Sequence, residues 1–174
     1  MTDSPRPQTP PYALTIASSD SGGGAGIQAD LKTMTRLGVY GGSVLVSATA
    51  QNSLGVTDTH VLPTDAIRSQ FEAVHGDFDV DAVKLGMLAT AEVVSTVADC
   101  LRDYDGPVVV DPVMVATAGD RLLDPDAVDA YRDLFERATL VTPNADETVA
   151  LTDITPDTPE RVRAAADQFF EWGA

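Results

Sequence analysis

A glycine-rich segment, Ser21–Asp30, carries the clearest chemical signal in the sequence. It follows an apolar run over Tyr12–Ser18 that predicts a short buried strand, and it leads into Ile27–Leu37, whose apolar residues recur at helical spacing. A glycine turn between a strand and a helix N-terminus lets a small polar or anionic ligand approach backbone N–H groups closely. Neither common phosphate-loop pattern is present, and a tight turn needs glycine for conformational reasons alone. The turn by itself therefore leaves a ligand site and a structural turn both open.

Asp30 is the residue that favours a ligand at this turn. It shares a helix face with Ile27, Leu31 and Met34, so its carboxylate is predicted to point inward. A carboxylate that faces inward needs a partner, which is either a ligand or a structural hydrogen-bond donor. We expect a ligand.

Further polar residues follow the other predicted strands. Asp111 ends a run of valines, where it could hold Mg²⁺ directly or through water, or cap the following turn. Asn144 and Glu147 stand three residues apart at a predicted helix start, where they could reach the same magnesium and phosphate region or form a capping box. Gln51 carries a donor and an acceptor suited to the edge of a heteroaromatic ring, and Met87 could form an apolar wall beside it. Each of these residues also has an ordinary structural role open to it.

Short apolar strands alternate with amphipathic helices along the chain, which predicts an α/β fold with a mostly parallel, doubly wound sheet and helices on both faces. Ligands bind outside the carboxyl ends of the strands in such sheets, so polar residues at five strand ends are expected to share one rim. Those strand ends are Ser18–Asp20, Gln51–Asn52, Gly86–Met87, Asp111 and Asn144. The predicted strands cover 12–18, 43–50, 82–87, 107–111 and 139–142, with a loop over 51–56. The predicted helices cover 27–37, 63–74, 91–104 and 124–137, and two more begin near 143 and 158.

The 174 residues suit one domain, over 12–174, preceded by a proline-rich leader over 1–11 that we expect to be disordered. Acidic residues outnumber basic ones 27 to 11, which gives a net charge of −16. Such a surface repels nucleic acid and anionic membranes, so we expect neither partner. No segment has the apolar length of a transmembrane helix or the apolar centre of a secretory signal, so we expect a cytoplasmic protein. The acids are mostly aspartate, and only Lys32 and Lys84 are lysines. This balance favours a protein kept soluble in concentrated salt over an ordinary acidic enzyme.

Seven segments, in order along the chain, resemble the hydroxymethylpyrimidine/phosphomethylpyrimidine kinases of thiamine biosynthesis, which belong to the ribokinase-like superfamily. The segments are Ala13–Thr33, Leu37–Gly41, Thr49–Asn52, Val83–Leu88, Val110–Met114, Gly119–Leu123 and Val141–Asn144. Pyridoxal kinases share this fold and some of these segments. The runs G-G-G-A-G-I-Q-A-D and T-A-Q-N are more similar to the pyrimidine enzymes.

The resemblance implies an ATP- and Mg²⁺-dependent phosphorylation of 4-amino-5-hydroxymethyl-2-methylpyrimidine (HMP), and then of its monophosphate. It implies that the small-molecule pyrimidine is bound by residues around the glycine turn, namely Asp30, Gln51, Met87, Val113, Ser18 and Gly24. Asp111 and Asn144 would serve the nucleotide and phosphate region, and Asp111 and Glu147 the magnesium ion. Members of the family are commonly dimers, so the resemblance also allows a homodimer.

The sequence departs from the family's pattern in three places. Ser18 replaces a usual glycine, so a side chain enters beside the pyrimidine pocket, and the family's K-S-G-D is Thr117–Asp120 here, without its lysine. The family continues through a K-G-G-H strand to a G-T-G-C segment that forms the anion hole and carries the presumed base. Cys100 stands in the wrong context to replace that base, so no catalytic residue is assigned in this chain. We therefore expect a kinase domain that lacks its C-terminal part, with little activity on its own. The alternatives are a non-catalytic pyrimidine-binding or regulatory module and a relative of pyridoxal kinases.

Overall fold

The computed structural model describes residues 9–114 and 127–174. Most of the predicted leader and the predicted helix start at Asp124 lie outside the described residues, as does the family segment over 119–123. The described strands are β1 (Tyr12–Ala17), β2 (Tyr40–Leu45), β3 (Ser47–Asn52), β4 (Gly55–Val61), β5 (Ala82–Leu85), β6 (Val108–Val110) and β7 (Leu140–Val141). The described helices are α1 (Gly26–Arg36), α2 (Thr64–His75), α3 (Ala91–Cys100), α4 (Ala127–Phe135), α5 (Ala145–Thr152) and α6 (Pro159–Glu171).

Five parallel strands form the central sheet in the order β2-β1-β5-β6-β7. The chain leaves β1 through α1 to reach β2 on one side, and later returns through α2 to build β5, β6 and β7 on the other side. Because β-α-β crossovers are right-handed, this reversal places α1 on one face of the sheet and α2, α3 and α4 on the opposite face. The predicted doubly wound parallel sheet is confirmed. Its switch point lies at the carboxyl ends of β1 and β5, where such sheets bind ligands.

The strands of this sheet supply much of the hydrophobic core. Leu14, Ile16, Val83, Leu85 and Val110 are all almost completely buried. Strands that bury most of their side chains in this way are typical of parallel sheets that helices cover on both faces. None of the helices in the described ranges is long and apolar enough to cross a membrane.

The single strand predicted over 43–50 is wrong, because the chain forms two strands there. β2 ends at Leu45, and β3 pairs antiparallel with β4 in a separate hairpin. Gln51 therefore lies in a strand rather than in the predicted loop, and only four of the five predicted strand ends belong to the main sheet. The run from Ser43 to Ala50 contains no glycine or proline, so its apolar pattern does not show where the chain leaves one sheet for another.

Several element boundaries also differ from the predictions. β1 ends at Ala17 rather than Ser18, and α3 ends at Cys100 rather than at Tyr104. Beyond α3 the backbone N–H groups of Arg102 and Tyr104 bond Asp99 and Leu101 in turns rather than continuing the helix. Boundary shifts of this size do not change the connectivity.

Candidate functional site

A cavity of about 320 Å³ opens at the switch point of the central sheet. Its walls come from the carboxyl ends of β1, β5 and β6, the start of α1, and the hairpin. Five of the six residues expected to bind a pyrimidine line it, namely Ser18, Asp30, Gln51, Met87 and Val113. The sixth, Gly24, lines a neighbouring cavity between the glycine turn and the hairpin. A cavity of this size suits a small organic ligand.

The backbone N–H groups of Gly22, Gly24 and Ala25 in the glycine turn are bonded within the chain, which supports the structural one of the two alternatives left open by the sequence. The carboxylate of Asp20 accepts hydrogen bonds from the backbone N–H groups of Gly22 at 2.7 Å and of Gly24 and Ala25 at 2.8 Å. Burial raises the pKa of Asp20, but these donors outweigh burial and hold the pKa below its ordinary value of 3.8. The Asp20 carboxylate thus occupies the place at the turn where an anionic ligand could otherwise bind. The turn forms a fixed wall of the site.

Asp30 points inward, as predicted, and its side chain is only 18% exposed. Its Oδ2 atom accepts a hydrogen bond from Thr15 Oγ1 at 2.6 Å and another from Lys84 Nζ at 3.1 Å. Both protein contacts fall on one oxygen, and no donor within the described ranges bonds Oδ1. Asp30 therefore has structural partners and still offers a free acceptor in a residue that lines the cavity.

Lys84 is a site residue to which the sequence reasoning gave no role. It lies in β5, in register with Thr15 of β1 and Val109 of β6. Its ammonium is 3.1 Å from Asp30 Oδ2 and 3.7 Å from Asp111 Oδ2. Burial raises the pKa of Asp111, and the charge of Asp30 raises it further, while Lys84 offsets part of both effects. A lone lysine in an otherwise apolar strand was the signal that could have identified it.

Gln51 reaches the cavity from the hairpin. Its backbone N–H donates to Ser21 Oγ at 2.8 Å, and Ser21 Oγ donates to the Gln51 carbonyl at 2.6 Å, which ties the hairpin to the glycine turn. Thr49 Oγ1 lies 3.3 Å from Gln51 Oε1, but its single proton is donated to the carbonyl of Ser19 at the shorter distance of 2.7 Å. No acceptor among the described residues bonds the amide nitrogen of Gln51, so this side chain keeps donor capacity in the cavity.

The hydroxyl of Ser18 is committed to the protein. It donates to the carbonyl of Met87 at 2.9 Å and accepts from Ser47 Oγ at 2.6 Å, and the residue is 2% exposed. The Ser18 side chain, which was expected to enter the pyrimidine pocket, therefore links β1 to the segment after β5 and to the hairpin. Its polar atom is already satisfied.

Asn144 and Glu147 form a capping box at the start of α5. Asn144 Oδ1 accepts from the Glu147 backbone N–H at 2.9 Å, and Glu147 Oε2 accepts from the Asn144 N–H at 2.8 Å. Burial raises the pKa of Glu147 and the charge of Asp111 adds to this rise, while the backbone N–H groups of Asn144 and Met114 partly offset it. The structural role of the pair is confirmed, and their role toward nucleotide, phosphate or metal stays a prediction.

The surroundings of Asp111 and Glu147 are compatible with a magnesium ion. Burial raises the pKa of both carboxyl groups, and the charge of Asp111 raises that of Glu147 further, an effect that a divalent cation would relieve. Nearby, the Tyr131 hydroxyl is completely buried and bonds no described residue. Burial and the charges of the two carboxylates raise the pKa of Tyr131. Mg²⁺ commonly uses one or two carboxylates and completes its shell with substrate phosphates. No group of three or more His, Cys, Asp or Glu residues in the described ranges is arranged to hold a metal ion.

The fold and the position of the cavity are those of the ribokinase-like class of α/β proteins. A crystal structure of phosphomethylpyrimidine kinase from Clostridium difficile 630 is similar to this chain with a TM-score of 0.87 and 39% identity, covering 94% of this chain and 71% of that one. A pyridoxal kinase from Staphylococcus aureus, solved in complex with AMP-PCP and pyridoxal, is similar with a TM-score of 0.84 and 33% identity, covering 96% and 61%.

Residues 20–174 match the family model described as phosphomethylpyrimidine kinase. The hydroxymethylpyrimidine/phosphomethylpyrimidine kinase of Streptomyces coelicolor is 51% identical over 174 residues, which cover 99% of this chain and 65% of that protein. The chain belongs to the phosphomethylpyrimidine kinase family, and the expected resemblance is confirmed. It spans slightly less than two thirds of the length of this relative.

Proposed function

We propose that this chain forms the substrate-binding side of an ATP-dependent kinase that phosphorylates HMP and its monophosphate. The observation that carries the proposal is the cavity at the switch point, where Asp30, Gln51, Met87 and Val113 come together. An aminopyrimidine presents ring nitrogens that accept hydrogen bonds and an amino group that donates them. An amide, a carboxylate and two apolar side chains complement this pattern.

Asp30 and Gln51 divide the polar recognition in this proposal. Asp30 is an acceptor only, and its Oδ1 atom has no donor among the described residues, so it suits the exocyclic amino group. Gln51 keeps an amide N–H for a ring nitrogen, while its Oε1 atom contacts Thr49. Met87 and Val113 supply apolar surface for the ring.

The phosphate end of the site lies at Asp111 and Glu147, which we propose hold Mg²⁺, with Asn144 serving the nucleotide phosphates. Mg²⁺, when bound, neutralises the charge of the phosphates that it contacts. The chain's own residues position the two reactants and need to form no covalent bond, because phosphoryl transfer depends chiefly on positioning and charge stabilisation. ATP as the phosphoryl donor is supported by the ATP analogue in the Staphylococcus aureus structure.

Calorimetric titration of HMP into the 174-residue chain tests the substrate. We expect binding, and we expect Gln51→Ala to weaken it about tenfold, because the hydrogen bond from the Gln51 amide to a ring nitrogen is lost and that nitrogen is left unpaired. Gln168→Ala is the matched control, since it makes the same change on α6, outside the lining of the cavity. Equal affinity of the Gln51→Ala variant would contradict the proposed site. Tighter binding of pyridoxal than of HMP would instead assign the cavity to the pyridoxal kinase alternative.

A further inference from the structure

Lys84 places a charge inside the central sheet. Its strand β5 is bordered by β1 on one side and by β6 on the other, and the remaining strand residues, Ala82, Val83 and Leu85, are apolar. The lysine side chain is 27% exposed, so its ammonium has lost much of its hydration. Replacing a desolvated ion pair by apolar side chains of similar volume is often neutral or stabilising. Fold stability therefore does not account for a lysine at this position.

Gly86 leaves room for the Lys84 ammonium. A Cβ atom on Gly86 would lie 2.9 Å from Lys84 Nζ and 3.1 Å from the Cβ atom of Ala17. The ammonium is a compact charge with three donors, so it can contact more than one carboxylate. The chain uses lysine at only two of its 11 lysine and arginine positions. This one contacts both carboxylates of the cavity.

We propose that Lys84 is a positioning residue for substrate binding: together with Thr15 it fixes Oδ2 of Asp30, so that Oδ1 is presented to the pyrimidine. The same ammonium ties Asp30, at the ring end of the cavity, to Asp111 at the phosphate end. This inference rests on the proposed function.

The charges around the cavity support this role. Asp30 on α1 and Asp111 after β6 face Lys84 from two elements, and Glu147 on α5 interacts with Asp111. Without the ammonium, the carboxylates of Asp30 and Asp111 would share one wall of the cavity with no cation between them. Asp30 would keep only the Thr15 hydrogen bond, which leaves its carboxylate free to turn.

Titration of HMP into the 174-residue chain and its Lys84→Met variant tests the inference. We expect the variant to bind HMP about tenfold more weakly or worse, because charge-assisted hydrogen bonds are among the stronger ones. Arg68→Met is the matched control: it removes a cation from the ion pair with Asp99, between α2 and α3, and is expected to bind HMP like the unmodified chain. A cooperative thermal unfolding transition in each of the two variants would show that it is folded.

Chemical rescue separates positioning from packing, and it carries the test if Lys84→Met does not fold. Lys84→Cys in a Cys100→Ala background, alkylated with bromoethylamine in denaturant and refolded, regains an ammonium on a side chain of lysine length. We expect alkylation to recover most of the affinity of the Cys100→Ala chain, and alkylation with an uncharged reagent of similar size to recover none. Unchanged affinity of Lys84→Met for HMP, or equal recovery of affinity with the two reagents, would overturn this inference and leave the proposed function standing. No HMP binding by the unmodified chain would overturn the proposed function and this inference with it.

Discussion

Two aspartates at the two ends of the glycine turn use the same functional group in opposite ways. The carboxylate of Asp20 turns back on the loop and satisfies its N–H groups. The carboxylate of Asp30 has one oxygen held by Thr15 and Lys84 and lines the cavity. Asp20 thus fixes the conformation of the turn that forms one wall of the cavity, and Asp30 lines that cavity.

Gly26 is the residue of the turn for which a side chain is least tolerable. Its φ is +56°, and a Cβ atom there would collide with the carbonyl oxygen of Ser18, which accepts the hydrogen bond of the Ile27 N–H at 3.0 Å. We expect Gly26→Ala to lower the free energy of unfolding by roughly 3 kcal/mol, measured by urea denaturation. Gly38→Ala is the control, because Gly38 has φ +77° with no atom near its Cβ position. It should lose only about 1 kcal/mol. Equal losses in the two variants would show that the contact with Ser18 is unimportant.

At the scale of elements, the site depends on how the hairpin is held against the central sheet. Ser21 and Gln51 exchange two hydrogen bonds, and Thr49 Oγ1 donates to the carbonyl of Ser19 at 2.7 Å. These contacts connect the glycine turn to β3 along its edge. The cavity is therefore assembled from two sheets and not from one rim.

The start of α5 gives a prediction that separates a structural role of Asn144 from a role in binding. Asn144→Ala removes the side-chain half of the capping box, so we expect the free energy of unfolding to fall by about 1 kcal/mol. Asn144→Ser keeps a good N-cap and should lose only a few tenths of a kcal/mol, measured in the same denaturation series. If alanine and serine proved equally stable, the side-chain cap of Asn144 would contribute nothing to stability, contrary to this prediction.

Elements with a local signature could be predicted from the sequence, whereas contacts between distant segments could not. The valines before Asp111 and the Asn144–Glu147 spacing predict β6 and the cap because the information lies within a few residues. The hairpin was missed because nothing in 43–50 marks the exchange of sheets. The partners of Asp30 were missed because Thr15 and Lys84 meet it only when β1, β5 and α1 pack together.

At the scale of the whole molecule, the net charge of −16 dominates the surface. Only 11 basic residues face 27 acidic ones, so most carboxylates cannot be paired. The described ion pairs that lie away from the cavity, such as Arg68–Asp99, are exposed and stabilise the fold little. Repulsion between unpaired carboxylates therefore opposes folding in dilute buffer.

Salt should stabilise this protein. Raising KCl from dilute buffer to about 1 M shortens the Debye length to roughly 3 Å, which screens the repulsion between exposed carboxylates. We expect the melting temperature, followed by circular dichroism, to rise by several degrees and to level off once screening is complete. A melting temperature that is high in dilute buffer and does not change with salt would contradict the expected adaptation to concentrated salt.

The central claim is that the cavity at the switch point holds the pyrimidine, and an NMR titration of the 174-residue chain with HMP tests it most directly. The backbone amide signals of Gly86, Met87 and Val113, which line the cavity, are predicted to shift in a saturable way. Those of Ala165 and Phe169, which line a separate groove beside α6, are predicted to stay in place. Saturable shifts confined to the α6 groove, or no shifts at all, would contradict the account.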